Sequence, residues 1–298
     1  MIPGATMRRA AAAVVAVAGL AFAVQACTSP EAALEAAARQ RQDGQPRAAL
    51  ERLQKLLASL GEGALPQAQG AVRLRALRAA GDVAYLELGD YAGAIAYYRR
   101  LISLAPGSPE ALEARALIGD IFRDRFQDRQ AAIAQYADIA AGESPQAPAF
   151  QLRVAREYLE LGNAEQARAE ARVLRERWPA RVEADEAQLL TAQAWALDRH
   201  EEEGLRAFQA LIDRAPAPGL VARAQEGKAG LYAQLGKFDR ALELYALALP
   251  HHPNPQAILT NIDAVRRRRE AARTVTPGDR NEAFDYGRPR PPDRETTP

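Results

Sequence analysis

The apolar and small positions of this chain repeat with a long period, about 37 residues. A small residue stands at Ala94, Ala132, Ala167, Gly204 and Ala241, in steps of 38, 35, 37 and 37. Four positions later comes an aromatic residue: Tyr98, Tyr136, Phe208 and Tyr245, with Ala171 as the exception. Nine positions before the small residue lies a second aromatic set, Tyr85, Tyr158, Trp195 and Tyr232. Arg123 breaks that second series, with Phe122 beside it. Each unit closes on a proline: Pro106, Pro145, Pro179, Pro216 and Pro253. A sixth, degenerate unit spans Gly44 to Gly61 and puts Ala49 and Leu53 in the two key places.

This pattern predicts pairs of antiparallel helices. The Leu-Gly steps at Leu88-Gly89, Leu161-Gly162 and Leu235-Gly236 end one helix, because glycine adopts the left-handed C-cap conformation at little cost. The next helix begins within a few residues, and the small residue lets the two backbones approach. Both aromatic sets are expected to fill the space beside that crossing, as core and not as a ligand platform. Proline then stops the second helix. One pair cannot bury its apolar face alone, so the pairs stack. A looser loop, Gly61 to Pro66, explains the step of 45 between Ala49 and Ala94. Beyond Pro253, Ile258, Leu259, Ile262 and Val265 recur at helical spacing and predict a capping helix over 254–273. From Thr274 to Pro298 the chain carries five prolines and almost no aliphatic residue, which predicts disorder. The fold class is therefore all-α, a solenoid of about six helix pairs with a C-terminal cap.

Over residues 31–253 the pattern resembles the tetratricopeptide repeat, although that family's usual period is about 34 residues. The longer period is similar to that of periplasmic members, such as the lipoprotein of the outer-membrane β-barrel assembly machinery and the coordinator that works with the Tol–Pal system. The resemblance implies a right-handed α-solenoid whose concave face is lined by the first helix of each pair. It also implies a partner-binding groove. The family's contact positions fall here on Arg153 and Arg156 in the fourth unit, Glu186 and Gln193 in the fifth, and Arg223 and Glu226 in the sixth. Such side chains can clamp a peptide through charge-assisted hydrogen bonds.

The N-terminus has a different character. Arg8 and Arg9 precede an uncharged run from Ala10 to Ala23, and small Ala26 stands before Cys27. That is the layout of a secretory signal over residues 1–26. The run falls short of the roughly 20 apolar residues that cross a bilayer. Val24-Gln25-Ala26-Cys27 resembles a bacterial lipobox, and Cys27 is the only cysteine. The resemblance implies lipid attachment at Cys27, with the mature chain beginning there. Thr28, where an aspartate would retain the protein at the inner membrane, implies an outer-membrane anchor facing the periplasm.

Without residues 1–26 the charge balance is 37 basic to 38 acidic residues. A neutral, interspersed surface argues against nucleic acid as partner, which would call for a basic stripe. The three histidines, His200, His251 and His252, have no triad context, and His200-Glu201 lacks the second histidine that a zinc protease helix carries. Glu201 to Glu203 reads as a solvated turn, and Arg266 to Arg269 as a solvated helix end. No metal, cofactor or catalytic residue is expected. The functional expectation is a non-catalytic, lipid-anchored scaffold that binds envelope proteins or peptides in its groove and supports outer-membrane or cell-wall assembly. The alternative is a pilotin-like lipoprotein that assists secretin assembly.

Overall fold

Helix formers with small residues at fixed offsets yield thirteen α-helices and, among the described residues, no strand. The computed structural model describes residues 29–274. The segment expected to be a secretory signal, Cys27 and the tail expected to be disordered lie outside the described residues. Two compact units divide at residue 100, within the fourth helix.

The N-terminal unit contains α1 (Pro30–Gln42), α2 (Pro46–Leu60), α3 (Gln67–Asp82) and the first part of α4 (Tyr91–Leu104). A π-helical turn, Val83–Glu87, extends α3. The loop from Gly61 to Pro66 is held by Arg73, a buried side chain that donates to the carbonyls of Gly61 (3.2 Å) and Gly63 (2.9 Å).

The C-terminal unit holds four further pairs and the cap. The pairs are α5 (Pro109–Asp124) with α6 (Arg129–Ala140), α7 (Ala147–Glu160) with α8 (Ala164–Arg177), α9 (Val182–Leu197) with α10 (Glu201–Arg214), and α11 (Pro218–Gln234) with α12 (Phe238–Ala248). Helix α13 (Pro255–Thr274) packs on α12. Each second helix also touches the first helix of the next pair, and α9 packs on both α7 and α11. First helices therefore lie side by side along this unit.

The expected crossing residues are all buried: Ala49, Ala94, Ala132, Ala167, Gly204 and Ala241. So are their partners four positions on, Leu53, Tyr98, Tyr136, Ala171, Phe208 and Tyr245. The turn within each pair is equally regular. Five residues before each crossing residue the backbone is left-handed, at Gly44 (φ 73°), Gly89 (67°), Gln127 (54°), Gly162 (76°), Arg199 (59°) and Gly236 (72°). Gln127 and Arg199 accept a conformation that strains a residue with a Cβ by about 1–2 kcal/mol. The following amide then reaches back to close the helix end: Gln45 to the carbonyl of Gln40, Asn163 to Tyr158, His200 to Trp195 and Lys237 to Tyr232.

Two expectations are corrected. The second aromatic set lies at the rim of the core, not inside it: Tyr85, Tyr158, Trp195 and Tyr232 are each half-buried. These residues occupy the last turn of a first helix, where solvent begins, and cationic side chains cover the open faces of two of them. The Arg168 guanidinium lies 3.8 Å from the centre of the Trp195 indole, and Lys228 and Lys237 flank Tyr232. In the cap, Ile258, Ile262 and Val265 are buried, but Leu259 is exposed. One residue beyond Ile258 is 100° further round the helix, which turns Leu259 out of the stripe.

The aromatic series is interrupted at Arg123. There Phe122 packs on the core, and Arg123 pairs with Asp120 and Asp124. The turn closes six residues back, Asp128 N–H to Phe122, as the second pair does from Asp90 to Ala84 while keeping Tyr85.

Candidate functional site

The first-helix face of the C-terminal unit carries all six residues singled out for a groove. It is built from side chains one or two turns apart on α7, α9 and α11, with α5 and α13 at its two ends. Arg153 leaves α7 towards α5, where its Nη1 donates to Asp120 Oδ1 at 3.2 Å. Its guanidinium also stands over the rings of Tyr136 (5.3 Å) and Phe150 (5.0 Å). Arg156, a turn later, is half-exposed and lies 4.0 Å from Glu186 of α9. Glu186 accepts two bonds from Arg223 Nη1 of α11, at 2.8 and 3.0 Å. Glu226 pairs onward with the cap: His252 Nε2 lies at 3.0 Å and Asn261 Nδ2 at 3.3 Å. On its other side, His252 Nδ1 lies 3.0 Å from both the amide nitrogen and the carbonyl oxygen of Asn254, which fixes the ring. Gln193, like Arg156, is exposed, and it makes none of these ties.

Five of the six thus serve as ties between neighbouring helices. Their charges alternate along the row, with Arg156 followed by Glu186 and then Arg223. The pairs are half-exposed, so each contributes modestly to stability. Their geometric effect is larger, because long side chains are held in place on a rigid face.

Beneath the row lies a denser polar cluster that sequence reasoning did not find. Asp120 accepts from the Tyr136 hydroxyl at 2.7 Å and also lies 3.4 Å from Arg123. Glu157 of α7 is almost completely buried and is paired with Arg129 of α6, with Arg123 at 4.0 Å. Arg123 grips Asp124 through two bonds, at 2.7 and 2.9 Å. That grip holds the Asp124 carboxyl below the usual carboxylate range. Burial, reinforced by the bond to Asp120, pushes the Tyr136 hydroxyl well above the usual tyrosine range. The N-terminal unit repeats this motif: Tyr98 donates to Asp82 at 2.7 Å, and burial raises its hydroxyl likewise. A recurring Gly-Asp sixteen residues before the tyrosine, at Gly81-Asp82 and Gly119-Asp120, is the signal that could have revealed both.

The remaining chemistry candidates are dispersed. His200 caps α10 and meets Trp195 edge-on at 5.3 Å, with Asp198 and Glu203 at 3.9 and 4.0 Å. His252 is committed to Glu226, and Glu202 and Glu203 pair with Arg206. No cluster of three metal-ligating side chains occurs among the described residues, and no helix among them is long and apolar enough to cross a membrane.

The family profile described as tetratricopeptide repeat matches residues 34–109, 83–148 and 199–258, more than half of the chain. No curated protein sequence matches. Among solved structures, the chain is similar to a tetratricopeptide repeat protein from Parabacteroides merdae (19% identity, TM-score 0.54, covering 87% of this chain and 94% of that one). It is also similar to the C-terminal part of a repeat-containing protein from Cytophaga hutchinsonii (15% identity, TM-score 0.57, covering 78% and 88%). The apo form of RapI is a third (12% identity, TM-score 0.51, covering 81% and 72%). These likenesses are likenesses of fold. Together with the repeat geometry and the extent of the profile match, they place the chain in the tetratricopeptide-repeat family.

Proposed function

We propose that this protein is a non-catalytic scaffold, tethered to an envelope membrane through lipid on Cys27, that holds a segment of another envelope protein against α7, α9 and α11. The observation that carries this reading is the cross-tied charged row. Arg156, Glu186 and Arg223 are tied to one another, and Arg153 to Asp120, before any partner arrives, so a peptide laid along them meets side chains already ordered. Gln193 supplies a free amide donor and acceptor in the middle of that row. The alternating signs favour a partner segment that carries both acidic and basic residues. Tethering raises the local concentration of the scaffold where such partners are confined.

The test is photo-crosslinking in native membranes from a probe placed at Gln193. The expected result is one dominant crosslinked protein, reduced about tenfold by Arg156→Glu, since a half-exposed charge-assisted contact is worth roughly 1.5 kcal/mol. Diffuse crosslinks that ignore Arg156 would overturn the binding face. The tether is tested separately, because Cys27→Ser should move the protein to the soluble fraction while its helical content stays unchanged.

A further inference from the structure

We propose that the cleft between the start of α12 and the last turns of α13 is a binding site for a phosphate group. This inference is independent of the groove on the first helices. The cleft has a volume of 490 Å³, and Lys237, Arg240, Arg269 and Arg273 line it, with Asp239 the only acid among its lining residues. Two different helices bring these four cations to one opening.

The charge around the cleft is poorly balanced from within. Arg269 donates to Asp239 at 2.7 Å, which cancels that carboxylate. Lys237, Arg240 and Arg273 are then left without a carboxylate partner among the described residues. The imbalance is local: residues 236–274 hold seven basic and four acidic side chains, whereas the whole chain is only +1. Like charges gathered at one opening repel one another, and a bound anion relieves that repulsion.

The cation set favours phosphate over a carboxylate. Two guanidinium groups and an ammonium line the opening, and a tetrahedral group with several oxygens can answer all three, whereas a carboxylate is satisfied by a single fork. The first turn of α12 also lines the cleft, at Phe238, with Lys237 as its N-cap. That cap makes no side-chain bond, so the first-turn N–H groups remain available to an oxyanion. Phe238, with Arg268 stacked 5.5 Å from its ring, gives the cleft an apolar edge for the body of an ester. The phosphate could be carried by an anionic lipid headgroup or by a soluble ion, and the experiment separates the two.

Full-length protein carrying Cys27→Ser, so that no acyl chain contributes, is titrated with inorganic phosphate in one arm. In the other it is sedimented with phosphatidylcholine vesicles with and without phosphatidylglycerol. The expected result is binding in at least one arm: the first identifies a soluble phosphate site, the second a headgroup site. Arg240→Gln with Arg273→Gln should weaken that binding about twenty-five-fold, taking a factor of about five for each cation removed. Arg266→Gln with Arg267→Gln removes the same charge from the same helix outside the cleft and should leave binding within about twofold. Absence of binding in both arms would overturn the proposal. So would equal losses from the two double variants, because the effect would then be one of net charge and not of the cleft.

Discussion

The third and fourth helix pairs share a backbone plan but solve the crossing between their helices in opposite ways. In the third pair, Gly119 stands where the Tyr136 ring crosses α5, and a Cβ on Gly119 would lie 2.4 Å from that ring. Asp120 then takes the tyrosine's hydrogen bond. In the fourth pair the three corresponding residues are Val154, Ala155 and Ala171, all buried, with no polar atom among their side chains. The ring has gone, and the first helix has gained a larger side chain. Volume is exchanged across the crossing, and a hydrogen-bonded contact is exchanged for a dry one. In these two pairs the crossing is therefore specified by three positions together, whereas the fifth and sixth pairs keep the ring, Phe208 and Tyr245, with Thr191 and Lys228 in the glycine's place.

The comparison can be broken most severely by mixing the two solutions. Gly119→Val keeps the tyrosine and should overpack the third pair, lowering stability by about 3 kcal/mol. Adding Tyr136→Ala should recover a substantial part of that loss, a coupling visible in a double-mutant cycle by urea unfolding. Additive losses would show that the two pairs are not interchangeable.

A smaller effect isolates the polar half of the contrast. Tyr136→Phe should cost about 1 kcal/mol, since Asp120 retains Arg153 and Arg123. The same change has a pH signature. Unfolded tyrosine ionises near 10, whereas burial and the bond to Asp120 keep Tyr136 protonated well beyond that. Above about pH 10 the folded state holds a proton that the unfolded state has released, so stability falls as pH rises. Tyr98 behaves alike. The variant with Tyr98→Phe and Tyr136→Phe should lose less stability between about pH 9 and pH 11 than the parent. An unchanged slope would refute the assignment.

The smallest expected effect concerns the turns. Gln127→Gly and Arg199→Gly replace strained residues by the one found at the equivalent place in the other pairs. Each should stabilise by a few tenths to about 1 kcal/mol, the relieved strain being partly offset by the freer unfolded chain. Gly162→Ala should destabilise by about 1 kcal/mol. Thermal midpoints rank the three variants.

What the sequence reveals of this fold follows from which relations are local. The small residue, the aromatic four places on and the glycine five places before it sit within one turn region, so their recurrence is visible by alignment of the chain with itself. Gly119 and Tyr136 are seventeen residues apart on two helices, so no one turn region displays their contact. Phe122 packs on the core where the series expects position 123, because Arg123 pairs with Asp120 and Asp124, carboxylates that only the folded helices bring to it. The placement of the six candidate residues on successive first helices is legible, but their pairing is not, because it depends on which faces of those helices adjoin. The spacing held a hint: Glu186 and Arg223 are 37 residues apart, one repeat, and opposite in sign. The cleft at α12 and α13 draws on separate helices, and Arg266 to Arg269 read as a plain charged run conceals that only Arg269 lines it.

The alternation of Arg156, Glu186 and Arg223 also works as a parity check on assembly. Repeats that look alike invite a chain to skip one and dock α11 directly on α7. That arrangement would bring Arg156 against Arg223, two cations, where the native order interposes Glu186. An array of hairpins on one backbone plan thereby carries its own numbering, written in sign as well as in shape.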